Sequence, residues 1–545
     1  MFWQRKKWDV EADVVVLGTG AAGLVAALAA RAEGASVVVL EKTDKVGGTT
    51  AVSGGVVWVP GNPRQATPDD VEAAIGYVAS LTDGRAPRDL VETWVRTAPE
   101  MLAFVERATK VRFSALERYP DYHPERPGGR TGGRSLDPGL FCTEALGAWK
   151  ERLRKSSTFG ATAMTIAEAT EWGVFAKPLA LPFELLAKRL KEGWVCYGAA
   201  LVGFLLEACI AEGIEPRLDT RADELVVEAG RVVGVRATSG GKPLAVHARR
   251  GVILATGGFE WDAELVSRFL GGPLSAPNSP PAMRGDGLRM AMAVGADLGN
   301  MTEAWWCPSL VVPGETYDGE QLFRGDFAMR SLPHSIVVNR AGARFVNEAQ
   351  NYNDLMKPFF AFDPRAYDRP NLPAYVVVDQ QFRDRYMFVT LVPGQRTPAW
   401  VPTAPTLAEL AAKLGVDAAG LEATVARFND FAREGRDADF GRGASAYDHF
   451  YGDPAHAPNP NLGTLEKPPF YALEVQPGAL GTKGGPRTDA DGRVLHVSGA
   501  PIAGLYAAGN VMAGVTGAGY PGAGSTISVG MTWGLRAARH ACTKG

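Results

Sequence analysis

Cysteine is scarce in this chain. Five are scattered through 545 residues, at Cys142, Cys196, Cys209, Cys307 and Cys542, and no two share a C-x-x-C spacing. That excludes zinc-ribbon, thioredoxin-like and c-type haem motifs, and an odd, dispersed set fits a reducing compartment. The seven histidines include no pair at i, i+4, so no metal site is expected. Net charge is only −3, which argues against a nucleic-acid partner. Long apolar runs are lacking too. The longest, Ala199 to Ala211, is broken by Glu207 and falls short of the roughly 20 residues a spanning helix needs. Met1 to Val10 is basic and aromatic without an apolar core, so no secretory signal is read there. The expected location is cytoplasmic, with peripheral contact at the inner face of the cell membrane left open. There is no internal repeat and no low-complexity tract.

What the chain does have is glycine, 64 residues of it, in a composition of 46% hydrophobic and 21% charged residues that suits two or more packed domains. Val14-Val15-Val16-Leu17 reads as a buried parallel strand, and Leu24 to Ala30 as a helix. Between them stand Gly18, Gly20 and Gly23 in G-x-G-x-x-G order. These suit a tight turn, a close approach of pyrophosphate to the backbone, and close helix–strand packing. The helix N-terminus offers amide donors and a positive dipole end to that pyrophosphate. A second strand, Ser36 to Leu40, ends at Glu41, 18 residues past Gly23, where a carboxylate can bond ribose hydroxyls.

The first motif serves FAD and NAD alike. Three further features favour FAD. A hydroxyl-bearing loop runs from Lys42 through Gly48, Thr49 and Ser53 to Gly54 and Gly55. A strand-to-glycine turn, Gly251 to Gly258, contains Ala255 and Gly257. Near the C-terminus, Leu505 to Asn510 leads through a glycine-rich run to Ser525-Thr526-Ile527 and a helix from Val529 to Ala541. The expected fold is therefore α/β: a Rossmann-type, glutathione-reductase-like FAD-binding domain assembled from both ends of the chain, with an inserted α+β catalytic domain. The expected boundaries are 1–283 and 482–545 for the FAD-binding domain and 284–481 for the insert. The insert carries Trp305-Trp306, a strand from Ser335 to Asn339, Arg344 to Glu348, and a helical segment from Leu407 to Arg433.

Residues 161–195 mix Trp172, Phe175, Leu179, Leu181, Phe183, Leu185, Leu186, Leu190 and Trp194 with Lys177, Lys188, Arg189 and Lys191. They read either as a core helix with a basic edge or as a surface that docks on anionic lipid. The surrounding stretch 135–195 is marked as a membrane-contacting insertion.

Several further runs stand out: Glu41-Lys42-Thr43 with Gly47-Gly48-Thr49 and Ser53-Gly54, Pro120-Asp121-Tyr122, Trp305-Trp306-Cys307-Pro308, and Asn347-Glu348 with Tyr352. Gly481-Thr482-Lys483-Gly484-Gly485, Ala507-Ala508-Gly509-Asn510 and Tyr520-Pro521-Gly522-Ala523-Gly524 complete them. Together they resemble the FAD-dependent 3-ketosteroid Δ1-dehydrogenases, relatives of the fumarate reductase and succinate dehydrogenase flavoproteins. The similarity covers nearly the whole chain and is weakest over about 135–195. It implies a C1–C2 desaturation beside a C3 ketone, in steroid and cholesterol degradation. By resemblance, the Tyr520 hydroxyl and the Gly524 N–H hold the carbonyl oxygen, Tyr352 accepts the C2 proton, Tyr122 assists it, and flavin N5 accepts the C1 hydride. Implied FAD contacts are Gly18, Gly20, Ala22, Gly23, Glu41, Lys42, Gly48, Thr49, Ser53, Gly54, Gly55, Ala255, Gly257, Gly509, Asn510, Thr526 and Ile527. Covalent relatives carry a histidine near the second glycine loop. Thr49, Thr50 and Ser53 stand there instead, so noncovalent FAD is expected.

His123, beside Tyr122, reads as a solvated loop residue, with tuning of the tyrosine network as the alternative. No second redox motif is visible, so an external quinone or redox protein is expected to take the electrons. The alternatives are a 3-ketosteroid 4-dehydrogenase and a fumarate-reductase-like flavoprotein reducing an activated C=C bond, for which Arg324, Arg330 and Arg344 would be the clamp. A membrane-surface flavin-binding partner without substrate chemistry is a further reading, and the tyrosine set argues against it.

Overall fold

The computed structural model describes residues 8–157 and 162–543. The reading of residues 1–7, and residues 158–161 of the 135–195 stretch, lie outside them. Two seven-stranded sheets organise the chain. The first runs in the order Val37–Leu40, Val10–Leu17, Lys242–Leu254, Pro501–Ala507, Arg231–Ser239, Thr220–Glu228, with Arg493–Leu495 paired to Pro501–Ala507. Its first four strands are parallel. Val14 to Leu17 and Val252 to Leu254 are at most 1% exposed. A parallel strand covered on both faces must be apolar throughout rather than alternating, which is why these runs were legible.

The register of those four strands decides where the site lies. Leu17 pairs with both Leu40 and Leu254, and Leu254 pairs with Ala507. The strands therefore end level, and the turns that follow, at Gly18, Glu41, Ala255 and Ala508, stand side by side. This is the edge of an open parallel sheet where dinucleotides bind. Helix Ala21–Ala32 starts at the first turn, and helix Ser525–Thr543 packs against it.

The second sheet is built on the strand Phe470–Thr482. It pairs antiparallel with Ala304–Tyr317 on one side and Ala374–Val378 on the other, which continue to Glu320–Gly325 and Ser335–Val338. Ala276–Pro277 and Thr403–Ala404 join it. The Thr482–Ala304 pairing brings Trp305 and Lys483 beside the carboxyl edge of the first sheet. The helical segment expected from Leu407 to Arg433 consists of two helices, Leu407–Leu414 and Ala418–Glu434. Gly415 ends the first in a left-handed conformation, and Asp417 caps the second.

Residues 162–195 form an excursion whose base is the pairing of Phe141–Cys142 with Trp194–Val195. Helix Ile166–Trp172 carries a capping box of Thr165 and Glu168, and it is tied to helix Phe183–Lys191 by the Glu168–Arg189 ion pair at 2.7 Å. Met164, Ala169 and Leu186 are buried, while Phe175, Leu179, Phe183, Leu185 and Leu190 remain exposed. Among the described residues, no helix is long and apolar enough to cross a membrane.

Candidate active site

A cavity of about 1030 Å³ runs from the Gly18–Ala22 turn to the excursion at residues 162–190. Of the residues expected to contact FAD, all line it except Gly23, which sits behind the turn. A Cβ on Gly23 would lie 2.1 Å from the Gly18 carbonyl oxygen, so helix and strand can approach this closely only with glycine there. Gly18 itself has φ +106°, and a Cβ would come within 2.3 Å of the Ala255 oxygen.

The cavity is built to take FAD. The hydroxyl oxygens of Thr49 and Thr256 are buried on its wall without a hydrogen-bond partner among the described residues. An orphaned buried hydroxyl costs free energy unless a ligand satisfies it. Helix Ala21–Ala32 begins at Gly20 without a side-chain cap and points its N-terminus into the same space. Glu41 is held for its role: Oε2 accepts from Thr19 Oγ1 at 2.6 Å, and Oε1 from the Thr43 amide at 3.0 Å. Lys42 is paired with Asp286 at 2.5 Å. On the opposite wall, Asn510 accepts from Trp305 Nε1 at 3.1 Å.

Beyond the FAD cradle, Tyr122, Tyr352, Tyr520 and Gly524 line one continuous wall. Their elements lie up to 402 residues apart in the chain, from 122 to 524. The Tyr122 and Tyr352 hydroxyl oxygens are 2.6 Å apart. The Tyr520 ring lies 4.9 Å from Tyr122 and 5.7 Å from Tyr352, centroid to centroid. Tyr520 Oη accepts from Thr526 Oγ1 at 3.1 Å, which leaves its own proton to donate elsewhere. Burial pushes Tyr352 and Tyr122 well above the ordinary phenol range. For Tyr352 the neighbouring phenols add to this, and the hydrogen bond from Tyr122 opposes it. Gly524 has φ +95°, and a Cβ there would lie 2.4 Å from the Val56 oxygen, so the loop must carry glycine to turn its backbone toward the cavity.

These side chains are clamped from behind. The Pro521 carbonyl accepts from the Tyr122 amide at 2.9 Å and from the Tyr77 hydroxyl at 2.7 Å. Asp121 takes Trp58 Nε1 at 2.8 Å and Arg134 at 2.6 Å; burial raises its carboxyl to about 6, against the pull of Arg134. His123, expected as a solvated loop residue, is instead half-buried and bonded to Asp354 at 2.7 Å, because the polar run around Tyr352 folds back against it. Sequence reasoning missed a second phenol pair, Tyr119 and Tyr451, with hydroxyls 2.7 Å apart, and the buried Tyr447 beside it. The Tyr119–Pro120–Asp121–Tyr122 spacing was the available signal for Tyr119. Nothing local marked Tyr447 or Tyr451.

The arginines weighed as a dicarboxylate clamp are occupied. Arg324 lies on the cavity wall in a two-pronged pair with Glu315 at 2.6 and 3.0 Å. Arg330 is buried and bonds the Asp326 and Gln350 carbonyls. Arg344 is buried between Glu348 and Asp437, at 2.7 and 2.8 Å.

Comparison with known proteins places the chain. The FAD binding domain family matches residues 13–527. A 4-oxocyclohexanecarboxylate 2-dehydrogenase of Sinomonas cyclohexanicum is 44% identical over 538 residues, 97% of this chain and 92% of that protein. A 3-oxosteroid 1-dehydrogenase of Mycobacterium tuberculosis is 40% identical over 562 residues, 97% of this chain and 98% of that protein. The crystal structure of the 3-ketosteroid Δ1-dehydrogenase of Sterolibacterium denitrificans, in complex with 1,4-androstadiene-3,17-dione, superposes with a TM-score of 0.91 at 37% identity, covering 98% of this chain and all of that one. A 3-ketosteroid Δ4-(5α)-dehydrogenase of Rhodococcus jostii, at 24% identity and TM-score 0.69, shares the fold. The cradle, the tyrosine wall and these relatives agree: the chain belongs to the FAD-dependent 3-ketosteroid Δ1-dehydrogenase family of flavoproteins.

Proposed function

We propose that this protein introduces the C1–C2 double bond into 3-ketosteroids, with FAD bound noncovalently. The observation that carries the reading is the convergence of Tyr122, Tyr352 and Tyr520 with Gly524 on one wall of a cavity continuous with the FAD cradle. Tyr520 donates its free proton to the C3 carbonyl oxygen, and the Gly524 N–H is the second donor. Both bonds strengthen as negative charge gathers on that oxygen, which makes the C2 hydrogen acidic. Tyr352, as the phenolate that a hydrogen bond from the Tyr122 hydroxyl favours, takes the C2 proton and becomes the neutral phenol. FAD, when bound, supplies the two-electron acceptor for the C1 hydrogen.

Charge supports a neutral ketone over the carboxylated one named for the Sinomonas relative. Cations on the cavity wall are already paired: Lys42 with Asp286, Arg221 with Asp223, and Arg324 with Glu315. A carboxylate would have to displace one of those partners, whereas the apolar outer part, from Met164 to Leu190, suits a large hydrophobic skeleton. The same pairing removes the clamp that reduction of a dicarboxylate would need. Anaerobic mixing tests this. A 3-keto-4-ene steroid should bleach the flavin, while 4-oxocyclohexanecarboxylate and succinate should leave it yellow. Bleaching by the cyclohexane acid alone would overturn the steroid reading.

We further propose that the inserted unit spans 284–481 and the FAD-binding domain comprises 1–283 and 482–545. We also propose that the rim of the cavity meets the inner face of the cell membrane. Phe175, Leu179, Phe183, Leu185 and Leu190 stand exposed there beside the exposed Lys177, Lys188 and Lys191. Exposed aromatics with a basic fringe match the chemistry of an anionic lipid surface, where an insoluble steroid and a quinone acceptor would both be found.

A further inference from the structure

Asp354 lies behind the tyrosine wall and does not line the cavity. It is two residues past Tyr352 on the short helix Tyr352–Leu355. Its Oδ2 accepts from His123 Nε2 at 2.7 Å and from Asn351 Nδ2 at 3.1 Å, and its Oδ1 accepts from Asn353 Nδ2 at 2.9 Å. The Lys357 ammonium is 3.3 Å from the same Oδ1. Burial would raise this carboxyl, but the His123 bond and the Lys357 charge prevail and hold it well below the usual carboxylate range.

Two of those partners, His123 and Lys357, lead to other catalytic segments. His123 is the neighbour of Tyr122 in the chain, and its amide donates to the Tyr77 hydroxyl at 3.2 Å. Lys357 Nζ donates to the Ala518 carbonyl at 3.1 Å, two residues before Tyr520. That carbonyl belongs to a group of three, at residues 517–519, that is gathered by the buried Lys483 at 3.2, 3.3 and 2.7 Å. Lys483 also lies 4.2 Å over the Trp305 ring, which packs on Tyr520 at 4.6 Å. One ionised carboxylate thus touches, directly or through one side chain, the three segments that carry Tyr122, Tyr352 and Tyr520.

We propose that Asp354 is the positioning residue for the reaction, holding Tyr122 against Tyr352 through His123 and holding the Tyr520 loop through Lys357. This rests on the catalytic reading of Tyr352 given above. The 2.6 Å contact between two phenols is short, and a displacement of about 1 Å at a reacting group can cost on the order of a hundredfold in rate. A half-buried His–Asp bond and a lysine tether are a means of preventing that displacement without placing charge in the cavity itself.

The test uses the FAD-loaded enzyme. Asp354→Ala should lower kcat on a 3-ketosteroid by roughly tenfold to a hundredfold, with KM changed less than about threefold and FAD content unchanged. The pH profile provides a readout that loss of packing alone would not move. Tyr352 is faced by Tyr122, Tyr520, Tyr119 and Tyr447, and of these the Tyr122 hydrogen bond lowers its pKa. Loosening that bond should shift the alkaline-rising limb of kcat/KM to higher pH. His123→Gln and Lys357→Met cut one arm each, at partly exposed side chains that tolerate change. Each should show a smaller loss, and neither should add its full effect to Asp354→Ala. An unshifted limb, unchanged kcat, or strictly additive losses would overturn the proposal. If instead Tyr352→Phe remained active, the base assignment itself would fail, a separate outcome.

Discussion

The hydroxyl oxygens of Tyr122 and Tyr352 sit 2.6 Å apart inside a cavity wall where both rings are no more than 4% exposed. Two phenols that close cannot both keep their protons pointed at a substrate. One must donate to the other, and with Tyr122 as the donor the bond favours charge on Tyr352 whenever Tyr352 loses its proton.

Tyr352→Phe should therefore abolish turnover while leaving FAD bound, because the ring still packs against Phe327 and Tyr122 and only the proton acceptor is gone. Steady-state rates beside the flavin absorbance of the purified variant decide this. Retention of more than a few per cent of the wild-type rate would contradict the assignment.

Tyr520→Phe removes one of the two donors proposed for the carbonyl oxygen. The expected loss in kcat is roughly tenfold to a thousandfold, as for other single oxyanion donors. Thr526 would keep its place at the flavin but lose its acceptor, so FAD affinity should change little. An unchanged kcat would require another anchor for the ketone.

Activity should climb with pH. Burial holds Tyr352 well above the ordinary value of about 10, so its proton-accepting form grows through the neutral and alkaline range. A plot of log kcat/KM should rise without levelling below about pH 10. Tyr122→Phe removes the opposing hydrogen bond and should carry the limb further up. A plateau near neutrality would mean that another group takes the proton.

Arg344→Met should unfold the protein readily without touching the chemistry. Arg344 is 4% exposed, and its partners Glu348 and Asp437 are 0% exposed at the side chain. Removing it takes the ion-pair partner from Asp437 and leaves Glu348 with Arg442 alone, 3.3 Å away, and losing one partner of such a cluster costs about 3–5 kcal/mol. Urea denaturation measures the loss. A stable variant with an altered substrate range would instead favour a clamping role for this arginine.

Leu179→Asp and Leu185→Asp, at exposed side chains outside the cavity lining, should weaken sedimentation with anionic vesicles and spare turnover of detergent-dispersed steroid. Burying one such side chain contributes on the order of 1.5–3 kcal/mol, so each change should lower vesicle affinity on the order of tenfold or more. Binding indifferent to both substitutions would remove the lipid surface from consideration.

Much of this was legible in the residues themselves. Buried parallel strands need continuous apolar runs, and a pyrophosphate turn needs glycine at set positions, so Val14 to Leu17 and Gly18 to Gly23 announced the first sheet and its cofactor locally. The family pattern pointed to Tyr122, Tyr352, Tyr520 and Gly524 by position alone. What no local pattern could supply was long-range contact. The level ends of four strands, the Tyr119–Tyr451 pair, the burial of His123 against Asp354, and the neutralising partners of Arg324 and Arg344 all join residues far apart in the chain. Whether a charged side chain is a ligand or an internal strut depends on which partner folding brings within about 3 Å of it, and distance along the chain carries no such information.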